Sequence, residues 1–256
     1  MKKHSKDPIG MVRDPYAGDG FVFPKANCTR ERRIFIKRVN EIHALLYITK
    51  HAYDEMKMMY QGRIPKLPFK DKTPIKIELS TGNATMFPAS AIVRLSSDGI
   101  NVLTRQAFIM FYGSFETYLF QLFERSFPNI GIKQDILDRS VEILMGGKWD
   151  SKFNKMSECF DLNFKAGELN NHFLEFELNF GGKILKSPLT FLDELAKVRH
   201  RIVHASSILE KDQLISVDLD IFHGFNGFYF LLTDFVDSLF SKRFDYPRSE
   251  INPAEA

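Results

Sequence analysis

SPLTFLDELAKVRHRIVHAS, residues 187–206, reads as a helix with a marked beginning and a chemically unusual end. Pro188 suits the first helical position, where its missing N–H costs nothing, and Ser187 before it can cap the first turn. Phe191, Leu195, Val198 and Ile202 recur at steps of three and four, so one face from Pro188 to His204 is apolar and needs cover. Arg199 falls only about 40° from the centre of that stripe on an ideal helix. The expectation is a guanidinium aimed towards the core. It cannot shed its charge, so it needs hydrogen-bonding anionic company.

The same period extends outward from this segment. From Arg30 to about Gln61, Phe35, Val39, Ile42, Leu46, Thr49, Tyr53, Met56 and Met59 line one helical face. The first turns there are basic, with Arg30, Arg32, Arg33, Lys37 and Arg38, and a solvated face is expected of them in preference to an RNA contact. Gly62, Pro65, Pro68 and Pro74 then mark a loop. Pro88 can open a helical stretch from Ala89 to Phe127, which Asp98-Gly99 is expected to divide. Its second part, Ala107 to Phe123, is apolar almost all round and belongs at the centre of the fold. Glu116 is the one charged residue between Arg105 and Glu124 and is the expected partner of Arg199.

Shorter helices are expected over 134–145, 151–160 and 168–180, the last with mixed periods that fit a strand equally well. A Phe-rich helix from Asp218 to about Arg243 follows a polar loop through 210–213. Residues 1–29 carry no period and read as an irregular arm, and residues after Tyr246 as a frayed tail. The whole is expected to be all-α, with strands confined to short pieces in 63–85 or 170–217. A helical domain over 89–245 would be preceded by an accessory helix and loop region over 30–88.

Composition excludes several classes. A chain of 256 residues can bury a sizeable core, and 25 Phe against one Trp make that core Phe-rich. The net charge of +3 permits nucleic-acid binding without announcing it. Cys28 and Cys159 share no motif and read as small packed side chains of a cytoplasmic protein. No stretch approaches the uninterrupted apolar length of a membrane span. The chain contains no G-x-S-x-G, no H-E-x-x-H and no Walker-type loop. Asp193-Glu194 and the pair Asp234 and Asp237 read as solvated helix charges. His43 and His51 read as ordinary surface or core residues, and Trp149 as packing.

Arg199-His200-Arg201-Ile202-Val203-His204 has the form R-H-x-x-x-H. With a polar residue directly after the arginine, it resembles the signature of the HEPN superfamily, whose active members are metal-independent endoribonucleases. The resemblance rests mainly on residues 188–206, with support from the helical segments on either side. It implies a HEPN-like helical bundle, an RNA substrate, and a homodimer in which two arginine–histidine pairs line one cleft. The implied products end in a 2′,3′-cyclic phosphate and a 5′-hydroxyl. The implied setting is a bacterial toxin or antiphage-defence effector with an antitoxin or defence-system partner. Some toxin members carry a tyrosine two residues after the histidine; here Ala205 and Ser206 follow His204, which argues against neutralisation by modification at that point.

The side chains suit such chemistry. His204 can move a proton near neutral pH, and Arg199 can hold phosphate oxygens as charge develops on them. His200 and Arg201 are supporting candidates that could orient substrate or hold the catalytic groups, and Glu116 is the candidate for holding Arg199. No cofactor or metal is implied, since His200 and His204 lack a third ligand. Five residues apart, Arg199 and His204 diverge by about 140° on a regular helix. They can cooperate only if the helix frays or if a second protomer completes the site. The competing reading is a non-catalytic HEPN-like dimerisation or nucleotide/RNA-binding module in a larger assembly, because fold does not settle function.

Overall fold

The computed structural model describes residues 12–13, 21–22, 26–61, 74–78, 84–133, 136–172, 178–180, 183–204 and 219–251. Their helices are α1 (Arg30–Gln61), α2 (Ala89–Ser126), α3 (Leu137–Met145), α4 (Trp149–Phe160), α5 (Ala166–His172), α6 (Pro188–His204) and α7 (Leu219–Phe244). The strands are β1 (Val12–Arg13), β2 (Phe21–Val22), β3 (Ala26–Cys28), β4 (Pro74–Glu78), β5 (Ala84–Pro88), β6 (Leu178–Phe180), β7 (Lys183–Leu185) and β8 (Ser249–Ile251). They pair only in twos, always antiparallel: β1 with β2, β3 with β8, β4 with β5 and β6 with β7. The fold is all-α, as the helical periods imply.

Helix α2 runs through the middle. Phe108, Phe111, Tyr112, Phe115, Tyr118, Leu119, Leu122 and Phe123 are all buried on it. Such a wide apolar circumference can be covered only by several helices at once. Phe111 meets Phe35 of α1 edge-on with ring centroids 6.1 Å apart, and Phe115 meets Tyr229 of α7 at 4.7 Å and Trp149 of α4 at 5.5 Å. Further along, Phe123 stacks on Phe160 of α4 at 5.5 Å. Each such aromatic pair contributes about 0.5–1.5 kcal/mol beyond the area it buries. Phe35, Ile36, Val39, Ile42 and Leu46 put α1 into this same core, so the helix expected as an accessory shares its packing with α2.

Several expectations are corrected. Asp98-Gly99 does not divide α2, which is continuous from Ala89 to Ser126. Gly99 instead lets α1 come close, since a Cβ there would lie 3.0 Å from the Tyr53 ring. The segment 168–180 contributes both alternatives, with α5 ending at His172 and β6 beginning at Leu178. Of the expected loop after α1, Pro74 opens β4, while Gly62, Pro65 and Pro68 lie outside the described residues, as does the loop over 210–213.

The described ends of the chain are not loose. In β3 and β8, Ala26 pairs with Ile251, Asn27 with Glu250 and Cys28 with Ser249. These strands, with β1 and β2, fall outside the expected windows, because runs of two or three residues carry too little alternation to register as a period. Thr29 starts α1: its carbonyl accepts from the Arg33 N–H at 3.0 Å, and its own N–H donates to Asp237 Oδ2 at 3.0 Å. The Thr29 hydroxyl also bonds the other oxygen of Asp237, a residue with no exposed surface. Arg248 places Nε 3.5 Å from the same carboxylate. Tyr246 is buried, its ring under the Arg125 guanidinium at 3.9 Å and its hydroxyl 2.9 Å from Asn129 Nδ2.

Arg32, expected on a solvated face, is fully buried. It pairs with Asp234 and donates to Thr233 Oγ1 at 3.3 Å and to the Phe230 carbonyl at 3.2 Å. Arg32 sits three residues before Phe35, on the buried stripe itself, so the charge had to bring its own acceptors inside. Asp234, half exposed, is one of those acceptors, while buried Asp237 serves Thr29 and Arg248, so neither is an idle surface charge.

Candidate functional site

Helix α6 forms as its sequence dictates. The Phe191 N–H reaches the Ser187 carbonyl at 3.0 Å, and the Thr190 N–H lies 3.4 Å from the Ser187 hydroxyl. Phe191, Leu192, Leu195 and Val198 are buried, with Ile202 partly so. The helix continues without a break through His204. Arg199 and His204 therefore diverge by about 140° within one protomer. The His204 side chain itself lies outside the described residues.

Arg199 does reach the acid expected of it. Its Nη2 stands 3.9 Å from Glu116 Oε2, an ion-pair distance too long for a hydrogen bond. The burial differs from expectation: the Arg199 side chain is 44% exposed and that of Glu116 is 31% exposed. The long aliphatic stem accounts for this, since it leaves α6 near the core stripe and carries the guanidinium out to solvent. On the way the guanidinium passes over the Tyr112 ring, with Cζ 5.9 Å from its centroid. His200 and Arg201 are exposed on the next positions of α6.

Four residues complete the surroundings: Tyr112 and Lys152, which the sequence left unmarked, and Trp149 and Asp193, expected to be packing and a solvated charge. Tyr112 lies one turn before Glu116 on α2. Trp149, buried, and Lys152 come from the first turns of α4, with the Lys152 ammonium 4.1 Å above the indole centroid. Asp193 of α6, taken for a solvated charge, accepts the Trp149 backbone N–H through Oδ1 at 3.1 Å. A carboxylate there satisfies an otherwise orphaned donor and complements the positive end of the helix. The only sequence signal for this arrangement was Trp149 with Lys152 three residues on, which means little until α2, α4 and α6 are brought together.

The electrostatics follow from partial burial. Desolvation raises the Glu116 carboxyl above its ordinary value, against the opposing pull of Arg199 and Lys152. Burial likewise lowers the Lys152 ammonium, with Glu116 and Asp193 acting the other way and Arg199 adding to the depression. The Tyr112 hydroxyl is pushed up by burial and by the Glu116 charge, so it stays protonated. The result is a pair of cations, Arg199 and Lys152, beside two part-buried carboxylates, Glu116 and Asp193, at the edge of an aromatic floor. Such a pair of cations can bind an anion and stabilise developing negative charge.

Among the described residues no group of three or more His, Cys, Asp or Glu is placed to hold a metal ion. A cavity of about 620 Å³ lined by Arg30, Glu31, Gln121 and Arg125 contains none of the site residues, and Glu31 and Arg125 already pair across it at 2.8 Å. No helix among the described residues is long and apolar enough to cross a membrane. No protein-family model, curated protein or solved structure matches this chain. What the site can do rests on its own geometry and on the R-H-x-x-x-H pattern.

Proposed function

We propose that the protein is a metal-independent endoribonuclease of HEPN type, acting as a homodimer. The observation that carries this reading is the Arg199 guanidinium, which is half exposed, stands 3.9 Å from Glu116 and donates no hydrogen bond among the described residues. A structural arginine spends its donors on protein acceptors, as Arg32 does. Arg199 keeps its planar fork for a ligand, and the phosphodiester is the ligand that such a fork fits.

In the proposed reaction one His204 takes the proton of the 2′-hydroxyl, and the 2′-oxygen attacks phosphorus. Arg199 balances the charge on the phosphorane oxygens. The bond to the 5′-oxygen breaks as His204 of the partner subunit gives that oxygen a proton, leaving a cyclic phosphate and a 5′-hydroxyl. The unbroken α6 supports a two-protomer site, because it holds Arg199 and His204 of one protomer apart. Arg201 adds a further cation to this exposed end of α6, and His200 lies beside it as a further hydrogen-bonding group. An effector of this kind fits a toxin or antiphage role, restrained by an antitoxin or defence-system partner.

The test is incubation of purified protein with RNA in excess EDTA, with the fragment ends identified chemically. Wild type is expected to leave 2′,3′-cyclic phosphates. Arg199→Ala and His204→Ala are each expected to cut at least about 100-fold more slowly. Cleavage that survives both substitutions, or that appears only when Mg²⁺ or Mn²⁺ is added, removes this reading.

A further inference from the structure

Two side chains at this site are cations whose donors are not committed. Lys152 is half-buried, sits over the Trp149 ring at 4.1 Å and donates no side-chain hydrogen bond among the described residues. Arg199, on a different helix, is in the same state and stands 3.9 Å from Glu116. An ammonium offers three donors and a guanidinium five, and a carboxylate shared at ion-pair distance leaves most of them to water. Asp193 also acts on Lys152, but it accepts the Trp149 N–H at 3.1 Å and is held there by α4. Among the described residues Glu116 is the carboxylate that stands beside Arg199 and also acts on Lys152, and it is open enough to solvent to move aside.

We propose that Lys152 joins Arg199 in a two-cation seat for an RNA phosphodiester, and that the Glu116 carboxylate occupies this seat until the phosphate displaces it. The identity of the anion rests on the ribonuclease reading; the seat itself rests on the geometry of α2, α4 and α6. A phosphate has more acceptor oxygens than a carboxylate and meets both the fork of Arg199 and the point charge of Lys152. Glu116 keeps the two cations from repelling each other in the empty site, and it competes with every ligand. The aromatic floor of Tyr112 and Trp149 excludes water from beneath the bound oxygens, which strengthens each contact. Burial already depresses the Lys152 ammonium and raises the Glu116 carboxyl, and both strains ease when a phosphate arrives.

Trp149 is the chain's single tryptophan, so the seat carries its own reporter. A short oligoribonucleotide with every 2′-hydroxyl methylated, which cannot be cleaved by 2′-attack, is titrated into the protein at several salt concentrations while Trp149 emission is recorded. Wild type is expected to bind with a saturable change in emission as the ammonium leaves the ring. Lys152→Met is expected to bind about tenfold more weakly. Its salt slope, log K against log salt, should be shallower by about 0.7, the loss of one phosphate contact on a single strand. Lys152→Arg should restore the slope, and Glu116→Gln should bind several-fold more tightly than wild type.

A wild type that does not bind overturns the proposal, as does a Lys152→Met protein with unchanged affinity and salt slope. So does a Lys152→Arg protein as weak as Lys152→Met, since that would make the lysine a structural element. Cleavage is scored separately. Lys152-dependent binding without RNA cleavage would leave the seat standing and remove the nuclease, whereas cleavage unaffected by Lys152→Met would remove the seat and leave the nuclease.

Discussion

Arg199→Ala should separate function from stability. The guanidinium and the Glu116 carboxylate are 3.9 Å apart. Two unit charges at that distance attract by about 1 kcal/mol in water and about 4 kcal/mol at the effective dielectric of a protein surface. Side-chain exposures of 44% and 31% put the pair close to the watery limit, and ordering two long side chains offsets part of the gain. Contact with the Tyr112 ring at 5.9 Å adds about 0.5 kcal/mol at most. Truncation is therefore expected to cost no more than about 1 kcal/mol, a shift in melting temperature of about 2–4 °C. The fully buried pair expected from the helix geometry would have cost about 3–5 kcal/mol. The cleavage rate should fall at least about 100-fold over the same substitution. The assay combines urea or thermal unfolding with single-turnover RNA cleavage in EDTA, and includes Arg199→Lys, which keeps the charge without the fork and should recover only part of the rate. A stability loss above about 3 kcal/mol would show Arg199 to be an anchor of the fold, and an unchanged rate would refute its role in the reaction.

Asp237→Ala should cost about 3 kcal/mol in urea unfolding, because it strands the buried N–H and hydroxyl of Thr29 and leaves Arg248 with Asp234 alone; a loss under about 1 kcal/mol would show the start of α1 to be loosely held against α7. Burial raises the Asp237 carboxyl above its unfolded value, against the pull of the Thr29 hydrogen bonds. The folded state thus holds that proton more tightly, so this group's contribution is fully present in acid and is lost as pH rises through the raised folded pKa. Asp237→Asn cannot titrate, and the difference in unfolding free energy between it and wild type should change across that window; a constant difference would contradict the linkage. Gly113→Ala should stabilise by about 0.5–1 kcal/mol, since a Cβ there meets nothing within 4 Å, whereas Gly99→Ala should gain nothing because Tyr53 stands 3.0 Å away. Melting curves of the two variants decide this directly. If the site spans two protomers, His204→Ala added in excess should suppress wild-type cleavage by forming mixed dimers, and suppression that fails after subunit exchange has been demonstrated would argue for a self-sufficient protomer.

The long helices were legible because each spans many turns, so the three-and-four recurrence of residues such as Phe35, Val39, Ile42 and Leu46 accumulates over distance. The cap at Ser187 and Pro188 was legible because its chemistry is local, and the Glu116–Arg199 contact because Glu116 is the one charge of its apolar stretch and Arg199 lies beside the apolar stripe of its helix. The two- and three-residue strands β1, β2, β3 and β8 left no such trace, and neither did the fate of Arg32, Asp234 and Asp237. Their pairing depends on the meeting of α1 and α7, and Arg32 and Asp234 are 202 residues apart in the chain.

Sequence alone therefore determined the helical class, the central place of α2, and the presence of an arginine and a histidine at the end of α6, since period, capping and charge isolation are properties of neighbouring residues. Tertiary structure decided what surrounds them. It set the half-exposure of the Glu116–Arg199 pair, the engagement of Asp193 with α4 and the position of Lys152 over Trp149. It also joined β3 to β8. These features depend on which helices meet and at what depth, and depth sets the local dielectric. The same arginine beside the same glutamate is a costly buried anchor or an available phosphate ligand according to how much water reaches it.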